Sequence, residues 1–173
     1  MNYFELFKLP FHFELEVAGI SNTYRDLQRT VHPDKFANAG EHEQLLAVQK
    51  SAQVNDAFQT LKHPLRRAEY MLSVQGIDLQ IEQKTLQDSA FLIQQMELRE
   101  QLEDIAQLDD PDEQIEAFEQ DVNALTSELY QQLTPMLESS CKVTLENAAN
   151  LVRKLKFTHK LSEELDRLED SLL

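Results

Sequence analysis

Apolar residues recur three and four positions apart along most of this chain, and this spacing limits its fold more than any other feature. A clear example is the run Ile115, Phe118, Val122, Leu125 and Leu129. Such spacing places the side chains on one face of an α-helix. Only 3 Gly and 5 Pro occur in 173 residues, whereas an all-β chain needs many turn residues. The pattern predicts an all-α protein.

The charge is strongly negative and unevenly distributed. The formal net charge is −15, and residues 1–76 carry 8 Lys+Arg against 9 Asp+Glu, whereas residues 77–173 carry 8 against 22. Such a surface repels nucleic acid and anionic lipid and favours partners with basic surfaces. The single cysteine, Cys141, suits a reducing compartment, and we find no secretory signal or apolar run of membrane-spanning length. We expect a monomeric cytoplasmic protein that binds neither nucleic acid nor membrane.

The first part of the chain predicts four helices, and Gly76 then reads as the C′ residue that ends the fourth helix. Pro64 favours a helix start at its own position. We therefore predict a first domain over residues 1–76. Its expected helices are Tyr3–Leu9, Val17–Val31, Glu41–Leu61 and Pro64–Leu72.

The second part predicts three helices, which short connections would fold into an antiparallel bundle. The first should span Lys84–Leu108. The second should start with Asp110 as N-cap and Pro111 at the first helical position, and Pro135 should end or kink it. The third should run from Thr144 nearly to the C-terminus. These bounds predict a linker over residues 77–83 and a bundle domain over residues 84–173.

The tripeptide His32-Pro33-Asp34 falls between two predicted helices. Proline cannot continue a helix and pushes the preceding residue away from helical angles, so the tripeptide is expected to form an exposed turn. Arg25 and Arg29, four positions apart, share a face of the preceding helix. This arrangement suits docking on a partner, although an ordinary solvated surface would show the same charges.

An enzymatic interpretation would use His32 and Asp34 as an acid–base pair. We find no second base, nucleophile elbow, phosphate loop or metal-spaced Cys/His set, so we expect no catalytic residues, no metal and no cofactor. Cys141 is interpreted as a small buried hydrophobe or a bystander. The remaining histidines are expected at the surface: His12, His42, His63 and His159.

The first helix of the predicted bundle shows two apolar faces when about 100° is assigned to each residue. The expected core face carries Phe91, Leu98, Leu102 and Ile105. The second face carries Leu92, Ile93 and Met96, edged by Glu97, Glu100 and Asp104. A bundle helix needs only one apolar face, so the second predicts a partner surface. The alternative is that Leu92 and Met96 lie at the edge of the core or pack on the first domain.

Several segments of residues 1–75 resemble the J-domain, the module by which co-chaperones stimulate a DnaK-class chaperone. The resemblance includes the turn tripeptide, Arg25 and Arg29 before it, and Lys35 after it. It also includes the end of the predicted third helix, Val54-Asn55-Asp56-Ala57-Phe58-Gln59-Thr60-Leu61.

The whole chain is similar to the HscB family of J-proteins. The segments that carry this similarity are Tyr3-Phe4-Glu5-Leu6-Phe7, Asp26 to Phe36, Pro64 to Leu72, and Phe91-Leu92-Ile93. The resemblance implies two partners, the chaperone HscA and the iron–sulfur scaffold IscU. It implies that HscA binds the tripeptide with Arg25, Arg29 and Lys35. It also implies that the scaffold binds the second face of the bundle helix, with Phe157 as a further candidate.

Three other functions stay open from the residues alone. A general J-protein would serve a different client. A hydrolase using His32 and Asp34 would need a deep pocket at the turn and would act without a chaperone. A structural adaptor would tolerate a change at His32.

Overall fold

The computed structural model describes residues 1–79 and 88–173. Within these two ranges the chain forms helices and no β-strand, which confirms the predicted all-α class. The chain separates into two compact units, Met1–Ile77 and Asp78–Leu173. A search of the described residues for a helix long and apolar enough to cross a bilayer finds none.

The first unit is built around two antiparallel helices, α2 (Val17–Val31) and α3 (Glu41–Lys62). The two shorter helices α1 (Tyr3–Leu6) and α4 (Pro64–Val74) complete the unit and share its apolar interior. The predicted bounds of α2 are confirmed, and α3 extends one residue beyond its predicted end. The large side chains that are fully buried in this unit are Phe4, Phe7, Ile20, Val54, Leu61, Met71 and Leu72.

The first helix is shorter than predicted, because the chain leaves it through a left-handed residue. Lys8 has φ of 55°, and the N–H of Leu9 donates to the carbonyl of Phe4 at 2.8 Å. The helix therefore ends at Leu6 rather than at Leu9.

Gly76 ends the fourth helix in the predicted way. Its φ is +89°, and its N–H donates to the carbonyl of Ser73 at 3.1 Å. The N–H of Ile77 reaches back to the carbonyl of Leu72 at 2.9 Å. These two bonds form a Schellman motif, which confirms Gly76 as the C′ residue, although α4 extends to Val74 instead of ending at Leu72.

The second unit is a bundle of three helices, α5 (Ser89–Ala106), α6 (Asp112–Leu133) and α7 (Lys142–Leu172). The expected core face of α5 is confirmed, because Phe91 is buried and Leu102 packs against the core. The buried residues of the main core cluster are Leu98, Ile105, Ile115, Phe118, Val122, Leu161 and Leu165.

Part of the predicted junction lies outside the described residues. This applies to the predicted helix start at Lys84 and to residues 80–83 of the predicted linker. The domain limits 1–76 and 84–173 therefore remain predictions. The α5 helix ends at Ala106, two residues before the predicted Leu108.

The start of α6 differs from the prediction by one residue. Pro111 is the N-cap rather than Asp110, which is exposed. The proline is buried and its carbonyl accepts the N–H of Ile115 at 2.8 Å, so its packing places the first turn one position later. At the other end α6 gives way to a short 3-10 helix, Thr134–Met136, which confirms the predicted effect of Pro135.

The interpretation of His159 as a surface residue is wrong, and of the two interpretations of Cys141 only the buried one is wrong. His159 is half-buried, and its Nε2 lies 2.8 Å from the Tyr130 hydroxyl; burial lowers the pKa of this imidazole below its usual value. Cys141 is exposed rather than buried and is the N-cap of α7, where hydrogen bonding from the Thr144 N–H lowers the pKa of the thiol. The other three histidines are exposed as predicted: His12, His42 and His63.

Candidate functional site

The tripeptide forms the turn between α2 and α3 and presents a carboxylate to solvent. His32 leaves the helix with ψ of 130°, and Pro33 begins a 3-10 helix, Pro33–Phe36. The Nδ1 atom of His32 accepts the backbone N–H of Asp34 at 3.2 Å. The Asp34 side chain is 93% exposed. His32 therefore acts locally as the cap that fixes this short helix, while Asp34 points outward.

Basic side chains border the turn on the α2 side. Arg25 and Arg29 are exposed, and Arg29 lies 3.8 Å from the equally exposed carboxylate of Asp26. An open groove of about 720 Å³ runs along this region. Five of the six residues predicted to bind the chaperone line it: Arg25, Arg29, His32, Asp34 and Lys35. The sixth, Pro33, is half-buried in the same turn; we call these six residues the turn surface.

A set of polar side chains that the sequence analysis did not identify joins α2 to α3 and lines the same groove as the turn surface. Gln28 donates to the side-chain oxygen of Asn55 at 2.9 Å and accepts from the Ser51 hydroxyl at 3.1 Å. The Tyr24 hydroxyl donates to the same oxygen of Asn55, and its ring stacks on Phe58 with centroids 4.2 Å apart. The spacing in the sequence could have indicated this set, because positions 24 and 28 are four apart, as are positions 51 and 55, so each pair shares a helix face.

On α5, the predicted second face is exposed. The exposed fractions are 41% for Leu92, 57% for Ile93 and 72% for Met96. The three carboxylates predicted to edge them are exposed as well: Glu97, Glu100 and Asp104. The structure therefore brings these six residues together on one side of α5, and we call them the α5 patch. Their exposure argues against the alternative that these apolar side chains belong to the bundle core.

Contacts between α5 and α7 fix the direction in which the α5 patch points. Asp88 caps the helix by accepting the N–H of Phe91 at 3.1 Å. The Lys154 ammonium donates to the same carboxylate at 2.8 Å, and this bond holds the pKa of Asp88 below its usual value. About two turns beyond the buried ring of Phe91, Arg99 pairs with Glu164 of α7.

Phe157, the remaining predicted scaffold residue, belongs to α7 and not to α5. It is half-buried on α7 and packs against the core cluster. Its ring meets Phe91 edge to face with centroids 5.8 Å apart, and the Arg99 guanidinium lies 5.5 Å from its centroid. Phe157 therefore helps to attach α5 to α7, and its contact with a scaffold stays a prediction.

Comparison with known proteins gives the family. A co-chaperone protein HscB homolog from Shewanella loihica is 56% identical over 172 residues, and the match covers 99% of each chain. The chain belongs to the HscB family. A second HscB homolog, from Photobacterium profundum, is 54% identical over 171 residues, with 99% of this chain and 98% of the relative covered. The family model described as the HscB C-terminal oligomerisation domain matches residues 87–166, which contain the whole α5 patch.

Solved HscB structures share the fold over the whole chain. The chaperone HscB from Vibrio cholerae is 48% identical, with a TM-score of 0.87 and complete coverage of both chains. The human co-chaperone HscB has the same TM-score at 28% identity, covering all of this chain and 84% of the human one. The resemblance to HscB proteins found in the sequence is thus confirmed.

Proposed function

We propose that this chain is a co-chaperone that makes no covalent chemistry of its own. It stimulates the ATPase of a DnaK-class chaperone, HscA, and delivers the iron–sulfur scaffold IscU to it during cluster assembly. The observation that carries the proposal is the presence of two separate exposed surfaces, the turn surface and the α5 patch, neither of which the chain needs for its own core. By thermodynamic linkage, full stimulation requires both partners to be engaged at once.

The turn surface supports the chaperone half of the proposal. Arg25 and Arg29 can approach an acidic strip on the chaperone, and such exposed charges mainly set the rate and orientation of encounter. The carboxylate of Asp34 lies 3.5 Å from the Nδ1 atom of His32, but its side chain is 93% exposed and therefore accessible to a basic group of the chaperone. A hydrolase would need an enclosed pocket here, whereas the groove beside the turn is open.

The α5 patch supports the scaffold half. Leu92, Ile93 and Met96 are adjacent, large and apolar, and they are 41–72% exposed. A bundle helix without a binding partner has no need for such an exposed apolar surface. The carboxylates at the edge would orient a scaffold that carries basic residues, and charges at a rim contribute to specificity more than to affinity.

A chaperone ATPase assay tests the first half. Asp34→Asn and, separately, His32→Gln should abolish stimulation of HscA, while binding of IscU stays at the wild-type level. Asp56→Asn, which neutralises an exposed carboxylate on α3, is the matched control and should stimulate normally. A structural adaptor predicts no change for any of the three variants, and loss of both activities in the Asp34 variant would argue against separate surfaces.

Scaffold binding by calorimetry tests the second half. Leu92→Ala combined with Met96→Ala should weaken IscU binding and lower the free energy of unfolding by less than about 1 kcal/mol per site, because buried Leu or Met to Ala changes cost about 2–5 kcal/mol. Leu45→Ala with Val48→Ala removes apolar side chains of similar exposure from α3 and should leave scaffold binding unchanged. A general J-protein with another client would not bind IscU at all.

Oligomeric state and location complete the proposal. We expect a monomer in the cytoplasm, bound to neither nucleic acid nor membrane. Because the matching family model is described as an oligomerisation domain, light scattering across a range of protein concentrations is the direct test of the monomer.

A further inference from the structure

A shallow groove separates α5 from α6 near the loop that joins them. Its volume is about 290 Å³. The apolar part of its lining comes from the buried Ile105 and Phe118, from Ala117, and from Leu108, which is 45% exposed. The volume lies at the lower limit of ordinary ligand pockets, about 300–1,000 Å³, so the groove suits one long side chain better than a small-molecule ligand. We call it the α5–α6 groove.

Two carboxylates stand at the groove, one from each helix. Asp104 belongs to α5 and Asp121 to α6. Both are exposed, and within the described part of the chain neither pairs with a Lys or Arg. Residues 88–141 contain 14 Asp+Glu and a single basic residue, Arg99, which is already bound to Glu164. This part of the chain therefore cannot supply the positive charge that the groove favours.

The groove continues the α5 patch rather than forming a separate site. Asp104 belongs to both. With about 100° assigned to each residue of α5, Asp104 lies roughly 120° from Leu92, and Leu108 follows two residues after the end of the helix at Ala106. A partner segment that covers the α5 patch as far as Asp104 is therefore adjacent to the α5–α6 groove.

We propose that the α5–α6 groove takes a lysine or arginine side chain of the scaffold that covers the α5 patch. The aliphatic part of that side chain lies on Ile105 and Phe118, and its charged group lies between Asp104 and Asp121. Long basic side chains bury their stems on apolar surface in this way while the charge stays in polar surroundings. This inference rests on the proposed function and adds α6 to the contact surface.

Two single substitutions on α6 test the groove in the full chain, with IscU binding measured by calorimetry. Ala117→Arg fills the groove and places a positive charge beside the incoming one, so the affinity should fall about tenfold or more. Asp121→Asn keeps the size of the side chain and removes its charge, so the affinity should fall about two- to five-fold, as expected for one exposed ion pair.

Matched controls use exposed residues on the far side of α6. Asn123 and Glu116 lie roughly 140° and 160° around the helix from Phe118, and both are exposed. Asn123→Arg adds the same charge as Ala117→Arg, and Glu116→Gln removes the same charge as Asp121→Asn. Neither control should change the affinity.

The outcomes separate this inference from the proposed function. If IscU binds and the α5 patch variants weaken it, while Ala117→Arg and Asp121→Asn bind as wild type does, the groove has no role and the proposed function stands. If the controls weaken binding as much as the groove variants, only the total charge matters and the groove is again rejected. If the wild-type chain does not bind IscU, both proposals are overturned. Should Ala117→Arg fail to fold, Asp121→Asn alone decides.

Discussion

Arg67 is the least expected residue of the first unit, because it carries a charge and is only 4% exposed. Its Nε donates to the carbonyl of Leu61 at 2.7 Å, and one terminal nitrogen donates to the carbonyl of Phe13 at 2.6 Å. The guanidinium also lies 5.4 Å from the centroid of the Phe13 ring. A single side chain thus joins the loop before α2 to the end of α3.

Replacing Arg67 with methionine keeps an unbranched side chain and removes both hydrogen bonds. A hydrogen bond to a charged group is worth about 1.5–3 kcal/mol, so the two bonds together suggest a loss of about 3–6 kcal/mol in the free energy of unfolding. Arg67→Lys keeps the charge but lacks the planar guanidinium fork that directs two donors at fixed positions, so we expect it to lose roughly half as much. Such losses are a large fraction of the stability of a small domain, which is about 5–15 kcal/mol.

Urea unfolding followed by tyrosine fluorescence measures this loss in the relevant unit, because three of the four tyrosines, Tyr3, Tyr24 and Tyr70, lie in it. The matched control is Arg66→Met, which removes the neighbouring but exposed arginine and should change stability by less than about 0.5 kcal/mol. Equal stability of the Arg66 and Arg67 variants would refute the reasoning, since the buried bonds would then contribute nothing.

Two further predictions concern a strained backbone and a buried imidazole. Lys8→Gly should stabilise the first unit by about 0.5–1 kcal/mol in the same urea assay, because the left-handed conformation at φ of 55° costs most residues about 1–2 kcal/mol and glycine offsets part of this gain through its unfolded-state entropy; Lys8→Ala keeps the strain and should bring no gain. The pKa of His159 is lower in the folded protein than its unfolded value of about 6.5, so the unfolded state binds more protons and the stability that the neutral ring contributes is present above about pH 6.5 and lost as the pH falls below it. The melting temperature of His159→Gln should therefore fall less than that of wild type between about pH 7.5 and 5. The control His42→Gln, at an exposed position, should show the wild-type fall. An equal fall for His159→Gln and wild type would contradict this prediction.

Local signals predicted most of the helices, because each depends on residues close together in the sequence. The bounds of α2 follow from its apolar spacing and from the proline after His32. The cap at Gly76 follows from the preference for glycine at the C′ position of a helix, where the backbone is left-handed. The exposure of Leu92 and Met96 follows from angles around a single helix.

The features that the sequence did not reveal depend on contacts between distant residues. Nothing near Arg67 indicates burial, because the carbonyl that it binds at Phe13 is 54 positions away. The left-handed conformation of Lys8 does not follow from its own preference, since lysine is not favoured there; it accompanies the hydrogen bond from the Leu9 N–H to the Phe4 carbonyl. The helical angle of Phe157 could not assign this residue to the core or to the surface, because its ring is half-buried at the boundary between them.

The candidate sites followed the same division. The turn surface and the α5 patch each consist of residues close together in the sequence, so spacing predicted which of their side chains share a face, whereas the assignment of the turn surface to a chaperone came from the resemblance to J-domains. The bonds among Tyr24, Gln28, Ser51 and Asn55 require the register of two helices, which single-helix patterns do not define.

That cross-helix set is uncharged, and this has a consequence for experiments at different ionic strengths. Counterions would shield the proposed attraction of Arg25 and Arg29 for an acidic surface of the chaperone, but they have little effect on bonds between amides and hydroxyls. Adding potassium chloride should therefore slow the arrival of the chaperone while the hairpin formed by α2 and α3 keeps its shape, so encounter and integrity can be studied independently in one titration.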